Sequence, residues 1–514
     1  MNIAQLSLDN IEQFGEYTAT LFADQEITNV QQYEDASKLA TVLLAHGVKK
    51  GDRVVVMMLN SPVVMSAFTA TWKIGAAIIP VTPMWTSREV RYLLEDSGAG
   101  HIITSPELAP LIDEASQGIA TVKEILVVGD TDIAHATNIA DEFESAERYD
   151  PVYDADPDHM AMLLYTSGTT GDPKGVMLTH NNFITSTEMA YQNAIGITDV
   201  RSVSSLPLSH IYGVIVMNMS LKLGTKSRIL PGWDTRAVFE AIQELKVNRL
   251  SVVPTMLTYM LNFPDRDQYD MSSLDQVGSG GAPIPEAVRV EFEQVFSCTV
   301  KQGYGLSETA AVLTSYHHEE DYVVGSVGRA VPGVEIQILD NDNNTLPAGE
   351  SGEICARGPH IMQGYLNKDD ATREALVEGW LHTGDIGHLD ANGYVFITDR
   401  KKDLIIKGAE NISPKEIEEG IYAHPAVSEA AVFGVADERF GENLCAAVVL
   451  RHDATATEPD ILRHLVDYVT KFKIPARVVF LEELPKNPTG KIQKRALREQ
   501  FKTILSDAEA RETA

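Results

Sequence analysis

The chain has 514 residues, 44% hydrophobic and 22% charged, which excludes disorder, collagen and coiled coil as whole-chain descriptions and leaves room for about three or four folding units. Its 73 acidic residues against 42 basic ones give a formal charge of −31, so nucleic acid and anionic membrane surfaces are poor partners. Cys298, Cys355 and Cys445 stand far apart in apolar, strand-like stretches without metal-ligand spacing, and read as inert core thiols of a reducing compartment.

The opening MNIAQLSLDN has no basic segment leading into an apolar one, so no signal peptide is expected. From Val54 to Val81 the chain is strongly apolar, but Asn60, Pro62 and Lys73 interrupt it. It makes a poor membrane span, and a cytoplasmic location without an integral membrane segment is expected. DRVVVMML in that region predicts a buried strand, PVVMSAFTATWKIG a helix and AAIIPV the next strand. HIITS, EILVVGD, SRIL and RLSVVP continue the series, and continuous apolar strands alternating with helices imply parallel sheets covered on both faces. After Val334 the pattern turns to strand-turn-strand, with EIQILDNDNN, GEICARG and YVFITDR. Beyond the charged cluster at Arg400 come helices (PKEIEEGIYAH, PDILRHLVDYV) and strands (EAAVFGV, CAAVVL). The expected fold is therefore α/β. Residues 1–400 form a large N-terminal domain of doubly wound parallel sheets with a small β-rich subdomain, and residues 401–514 form a small α+β C-terminal domain.

The most informative stretch is LLYTSGTTGDPKGVM, residues 163–177. A buried strand runs into Gly168, Gly171 and Gly175, the hydroxyls of Thr166, Ser167, Thr169 and Thr170, and Lys174. Glycines let the backbone approach a polyanion, hydroxyls and N–H groups donate to it, and the lysine adds charge. This is a triphosphate loop, but not the Walker pattern, because Pro173 stands where a second glycine is required. GLSET ends in Thr309, so no nucleophile elbow is present, and neither GSGGAP nor GYGLSE has dinucleotide-loop spacing. His317 and His318 are adjacent with no further ligand in phase, which argues against a metal site.

With LPLSHIYG, GSGGAPIP, QGYGLSET, GEICARGP, WLHTGD, DRKKDLIIKGAENISPKEIE and PKNPTGKIQK following in order, the chain resembles the adenylate-forming superfamily of acyl-CoA synthetases, firefly luciferase and peptide-synthetase adenylation domains. It looks closest to fatty-acid and aryl acyl-CoA ligases. The resemblance implies a two-step reaction: a carboxylate attacks the α-phosphate of ATP to give an acyl-adenylate and pyrophosphate, then the thiol of coenzyme A displaces AMP. It implies that Thr166, Ser167, Gly168, Thr169, Thr170, Gly171 and Lys174 hold the β- and γ-phosphates, that Glu308 binds Mg2+, and that Thr309 contacts the α-phosphate. Lys491 would bridge the substrate carboxylate and α-phosphate. Asp385 and Arg400 would hold the ribose, with Tyr304 stacked on adenine against the Gly280, Gly281, Ala282 and Pro283 backbone. The C-terminal domain would swing at Lys402 between two states, the second presenting Gly408 and Ala409 to the pantetheine arm of CoA. Ala409 departs from the glycine usual in these ligases. Phe440 and Phe472 fall where some ligases stack the CoA adenine.

By the same resemblance the acid pocket lies between Ser209–Gly213, Val253–Thr255 and Gly305, with His210 at its gate. Gly305 occupies the place of a tryptophan that fills the pocket of acetate-activating relatives, so a longer tail is expected. Ile211, Val214, Ile215 and Leu306 stand around it with no Arg or Lys, which predicts an apolar acid: a medium- or long-chain fatty acid, or an aryl or alicyclic one. The expected partners are the acid, ATP and CoA, with a homodimer left open. The other readings are an adenylation protein loading a carrier protein, a luciferase-like oxygenase and a non-enzymatic ATP-binding module.

Overall fold

The structure is a computed structural model describing residues 1–166, 173–408, 410–437, 439–487 and 490–505. Its largest sheet has eight strands, in the order Gly364–Tyr365, Lys174–Thr179, Met160–Thr166, Ala77–Pro80, Arg53–Met57, His101–Thr104, Glu124–Val127 and Ala136–Asn138. From Met160–Thr166 onward the pairs are parallel, while Lys174–Thr179 runs back antiparallel. The apolar run at 53–57 serves two faces. Val54 and Val56 pack with Leu39, Phe68 and Trp72 from helices Asn29–Ala45 and Pro62–Lys73, whereas Val55 and Met57 pack with Leu93, Leu94 and Ile112 from Ser87–Ser97 and Ala109–Ser116. Two-sided burial is why the sequence shows a continuous rather than alternating pattern. Ser61 caps Pro62–Lys73 by accepting from the Val64 N–H, with Pro62 pre-set for the first turn.

A second sheet orders Arg201–Ser204, Lys226–Ile229, Thr18–Phe22 and Gln25–Thr28. A third holds three parallel strands, Arg249–Val252, Gln276–Ser279 and Thr299–Gln302. One face of the third, with Leu250, Val252, Val277 and Val300, packs on Phe239, Leu257 and Phe292. The opposite face carries Ser251 and Gly278, too small to fill the space above them. The β-rich unit expected after Val334 is a five-stranded antiparallel sheet of Glu335–Leu339, Gly352–Arg357, Trp380–Leu389, Leu376–Val377 and Val395–Arg400.

The last sheet, built after residue 404, orders Glu410–Ile412, Ile405–Lys407, Gly441–Leu450 and Val427–Asp437, with Arg477–Phe480 beside Gly441–Leu450. Helices Pro414–Tyr422 and Glu458–Leu465 cover one face through Ile417, Ile421, Ile461 and Leu465. The second helix is shorter than its pattern predicts. It tightens after Leu465 into three-residue turns (Val466 N–H to Arg463 O, 3.2 Å), yet Val469 still reaches the core. Cys355 and Cys445 lie in strands, but Cys298 precedes one and is only half-buried. Burial pushes all three thiols up to about 12, so they are poor nucleophiles. Among the described residues no helix is long and apolar enough to cross a membrane.

Candidate active site

One cavity lies where the large sheets meet the C-terminal unit, lined by Gly281, Ala282, Pro283, Tyr304, Asp385, Arg400 and Lys491. Asp385 and Arg400 are cross-strand neighbours. The Arg400 Nε lies 3.1 Å from Asp385 Oδ1, and the Tyr304 hydroxyl donates to Asp385 Oδ2 at 2.6 Å. Burial and the Asp385 charge raise the Tyr304 hydroxyl well above its usual pKa, so it stays a donor. The turn before Asp385 is set by Glu353, which sequence reasoning missed. Its carboxylate accepts from the Gly384 N–H at 3.0 Å and meets His382 Nδ1 and Lys401 Nζ, each at 3.3 Å. Glu353 sits inside GEICARGP, so its motif was visible but its partner was not.

Glu308 and Lys174 come together through a residue that no motif marked. The Tyr365 hydroxyl donates to Glu308 Oε1 at 2.7 Å, while Lys174 Nζ lies 4.9 Å from the Tyr365 ring centroid. Tyr365 pairs with Val176 across the sheet edge, which puts its ring beside Lys174. Thr309 is fully buried, its hydroxyl bonded to Leu306, and Thr166 faces Lys174 in register. Ser167, Gly168, Thr169, Thr170 and Gly171 of the phosphate loop lie outside the described residues, as does Ala409. Among the described residues no three metal-ligating side chains cluster. Glu308 offers one carboxylate, the kind of donor that suits a magnesium ion carried in on phosphate oxygens.

Lys491 stands on a short loop held by its own backbone. Its N–H donates to Asn487 Oδ1 at 2.8 Å, and its carbonyl accepts from the Asn487 N–H at 2.9 Å. Gly490, at φ +79°, presses this loop against Val253 and Thr255, and a Cβ there would come 2.5 Å from Thr255 Oγ1. Desolvation and the neighbouring charges of Arg400 and Lys402 lower the Lys491 pKa to about 7, against the opposing pull of Asp385 and Asp403. An anion entering the cavity would relieve that repulsion. The C-terminal unit is held in this position by Arg451, whose guanidinium pairs with Glu291 at 2.6 and 2.8 Å, and by Lys415 Nζ on Ile397 O at 2.7 Å.

A second cavity of about 350 Å³ shares the Gly281 and Gly303–Gly305 wall with the first and extends past His210. His210 caps helix Ile211–Leu223, its Nδ1 accepting from the Tyr212 N–H at 3.2 Å. That bond leaves the proton of the neutral ring on Nε2. Burial, then Lys491, lowers the His210 pKa to about 4, so the ring is neutral at pH 7. The lining expected for the acid pocket is met only in part. Val253–Thr255 line the first cavity, and Ile211 and Ile215 line the second one, but Val214 and Leu306 do not. Arg249 and Lys301 do line it, so the pocket is not free of basic residues. Gly305 lacks a side chain for a backbone reason: a Cβ there would overlap the carbonyl of Ala311.

Lys402 and Gly408 line neither cavity. Lys402 is exposed on the turn after Arg400. Gly408 lies beside Phe440 and Phe472, which meet edge-to-face at 6.1 Å with Lys407 Nζ over both rings.

The family model for AMP-binding enzymes matches residues 8–366, and that for the AMP-binding enzyme C-terminal domain matches 416–491. The long-chain-fatty-acid–CoA ligase of Bacillus subtilis (strain 168) is 34% identical, the alignment covering 96% of this chain and 93% of that protein. The fatty acid–[acyl-carrier-protein] ligase ScoC of Streptomyces coeruleorubidus is also 34% identical, over 94% and 93%. A crystal structure of the anthranilate CoA ligase AuaEII with anthranoyl-AMP superposes with a TM-score of 0.92 at 26% identity, covering 98% of each chain. From phosphate-loop strand to C-terminal loop, the chain belongs to the AMP-binding, adenylate-forming family of enzymes.

Proposed function

We propose that the protein is an ATP-dependent, AMP-forming carboxylic acid–CoA ligase acting on a medium- or long-chain fatty acid. The observation that carries this reading is the meeting of Tyr304, Asp385, Arg400 and Lys491 on one cavity that opens past neutral His210 into a second one. Two domains, residues 1–400 and 401–514, divide the work. In the first step a substrate carboxylate oxygen attacks the α-phosphorus, the bond to the β-phosphate oxygen breaks, and pyrophosphate leaves. Two anions must meet, so fixed cations and donors where charge collects account for the rate. Tyr304 and the Gly281–Pro283 backbone enclose adenine, Asp385 and Arg400 take the ribose, and Lys491 lies between carboxylate and α-phosphate. Thr309 serves the α-phosphate, and Lys174 with its loop the β- and γ-phosphates. His210 offers its Nε2–H at the mouth of the acid cavity. Mg2+, held by Glu308 and the phosphates, would neutralise developing charge on the departing pyrophosphate.

In the second step the CoA sulfur attacks the acyl carbon, its proton is lost, and the C–O bond to AMP breaks. The C-terminal domain would turn at Lys402, withdrawing Lys491 and bringing Gly408 and Ala409 to the site. Gly408→Leu should therefore leave pyrophosphate release intact and block thioester formation, because a branched chain would fill the path of the pantetheine arm. Separate assays of the two half-reactions check this, and an unaffected thioester step would remove the loop from the channel. The three free thiols support a reducing, cytoplasmic setting.

The reaction requires Lys491 charged. With its pKa lowered to about 7, kcat/KM for ATP should be level below that pH and fall about tenfold per unit above it. Lys491→Arg, which stays protonated, should remove the falling limb; a profile unchanged by that substitution would separate the limb from Lys491. A second acceptor is favoured by the carrier-protein ligase among the relatives. Offering CoA and a phosphopantetheinyl carrier to the same acyl-adenylate decides between them, and pyrophosphate release across a panel of acids tests the ligase reading itself.

A further inference from the structure

The far end of the acid cavity is built differently from its middle. Its floor is the open face of the three-stranded parallel sheet, where Ser251 pairs with Gly278 and Gly278 with Lys301. One register step further from the nucleotide, Arg249 pairs with Gln276. Small residues thus keep two strands of the middle open, Lys301 stands beside them in the same row, and Arg249 and Gln276 follow in the next. Arg249 lies four residues, roughly 13 Å of extended chain, from Val253 on the nucleotide side. The opposite wall is apolar, with Ile215, Val216, Met219 and Leu223 of helix Ile211–Leu223.

Charged groups of both signs gather at that end. Arg249 is matched by Asp275 at 3.0 Å and bonds to Gln276. Glu320, which acts on Lys301 through space together with Asp321 and Asp275, is itself taken by Arg329 and Tyr394. Lys301 is 8% exposed and forms no ion pair among the described residues, its ammonium donating only to the carbonyls of His317 (3.2 Å) and His318 (2.8 Å). His318 also lines the cavity, and its Nδ1 is buried without a hydrogen-bond partner. A buried cation with one donor to spare, on the sheet floor of a cavity whose helical wall is apolar, is a recognition element for an oxygen acceptor.

Resting on the ligase reading, we infer that the preferred acid carries an oxygen acceptor at the end remote from the activated carboxylate, most favourably a second carboxylate, held by Lys301. The test is kcat/KM, by pyrophosphate release with ATP and CoA, for matched pairs: hexanoate with adipate, octanoate with suberate, decanoate with sebacate, and the ω-hydroxy acids. The wild type should favour the ω-oxygenated member of at least one pair by about tenfold or more, the scale of a charge-assisted hydrogen bond. Lys301→Met should erase that ratio while leaving the plain acid little changed. A wild type that prefers the plain acid at every length overturns the inference while leaving the ligase intact, and needs no variant to show it. A Lys301→Met protein that lowers both members equally overturns it too. A protein that releases pyrophosphate with no acid at all defeats the ligase reading, and this inference with it.

Discussion

Lys491→Ala should slow acyl-adenylate formation by about 10²–10³-fold, the range for losing a positioned donor to a developing charge. Lys491 lines the first cavity, and its ammonium is already destabilised by burial and then by Arg400 and Lys402. Such a group is used fully only once a carboxylate and an α-phosphate supply opposite charge, so its contribution is greater in the transition state than in the empty site. Thioester formation from a supplied acyl-adenylate should survive, since that step is assigned to the other face of the domain. ATP–pyrophosphate exchange and thioester formation from synthetic acyl-AMP measure the two halves. Equal loss in both would mean that Lys491 only helps to seat the loop against Thr255, and Lys491→Met with normal exchange would remove it from catalysis altogether.

What the sequence makes legible here follows the range of each interaction. The strands at 53–57, 77–80 and 101–104 are announced by runs of β-branched residues, because burial on both faces is written into each segment by itself. Motif order singles out Tyr304, Asp385, Arg400 and Lys491, and these four do meet on one cavity. Tyr365 was not readable: its role depends on pairing with Val176 at the sheet edge, almost 200 residues earlier in the chain, and its own segment, MQGYLNK, carries no chemistry-bearing pattern. Lys301 was equally hidden. It sits in TVKQ, an unremarkable strand, and only the register with Gly278 and Ser251 turns it onto the cavity. The expectation of a wholly apolar pocket failed for that reason: it weighed residues near the gate in sequence, not those one strand repeat deeper.

Gly305→Trp should lower activity on every acid in the same proportion and reduce the thermal midpoint, instead of converting the enzyme to acetate. The chain after Gly305 forms a short turn, Ser307–Thr309, and then passes through Ala310 at φ 45° and Ala311 at φ 83°, a left-handed pair that folds it back on itself. That return puts the Ala311 carbonyl where any Cβ at position 305 would lie, with the Val312 nitrogen 2.9 Å away. The obstacle is backbone, not a side chain that could turn aside, so even alanine forces the turn to move. Overpacking of this kind costs about 1–3 kcal/mol and sometimes more. The damage would spread to two residues of the turn itself, Glu308 and Thr309, which the proposed first step uses, and to Tyr304 on the other side. Selectivity for chain length would then change little, because all acids lose the same machinery. Measuring kcat/KM for acetate, hexanoate, benzoate and palmitate, together with the melting temperature, checks this, with Gly305→Ala as the smaller perturbation in the same direction. A Gly305→Trp protein of normal stability that gains on acetate while losing palmitate would restore chain-length control to this position and show that the turn can yield.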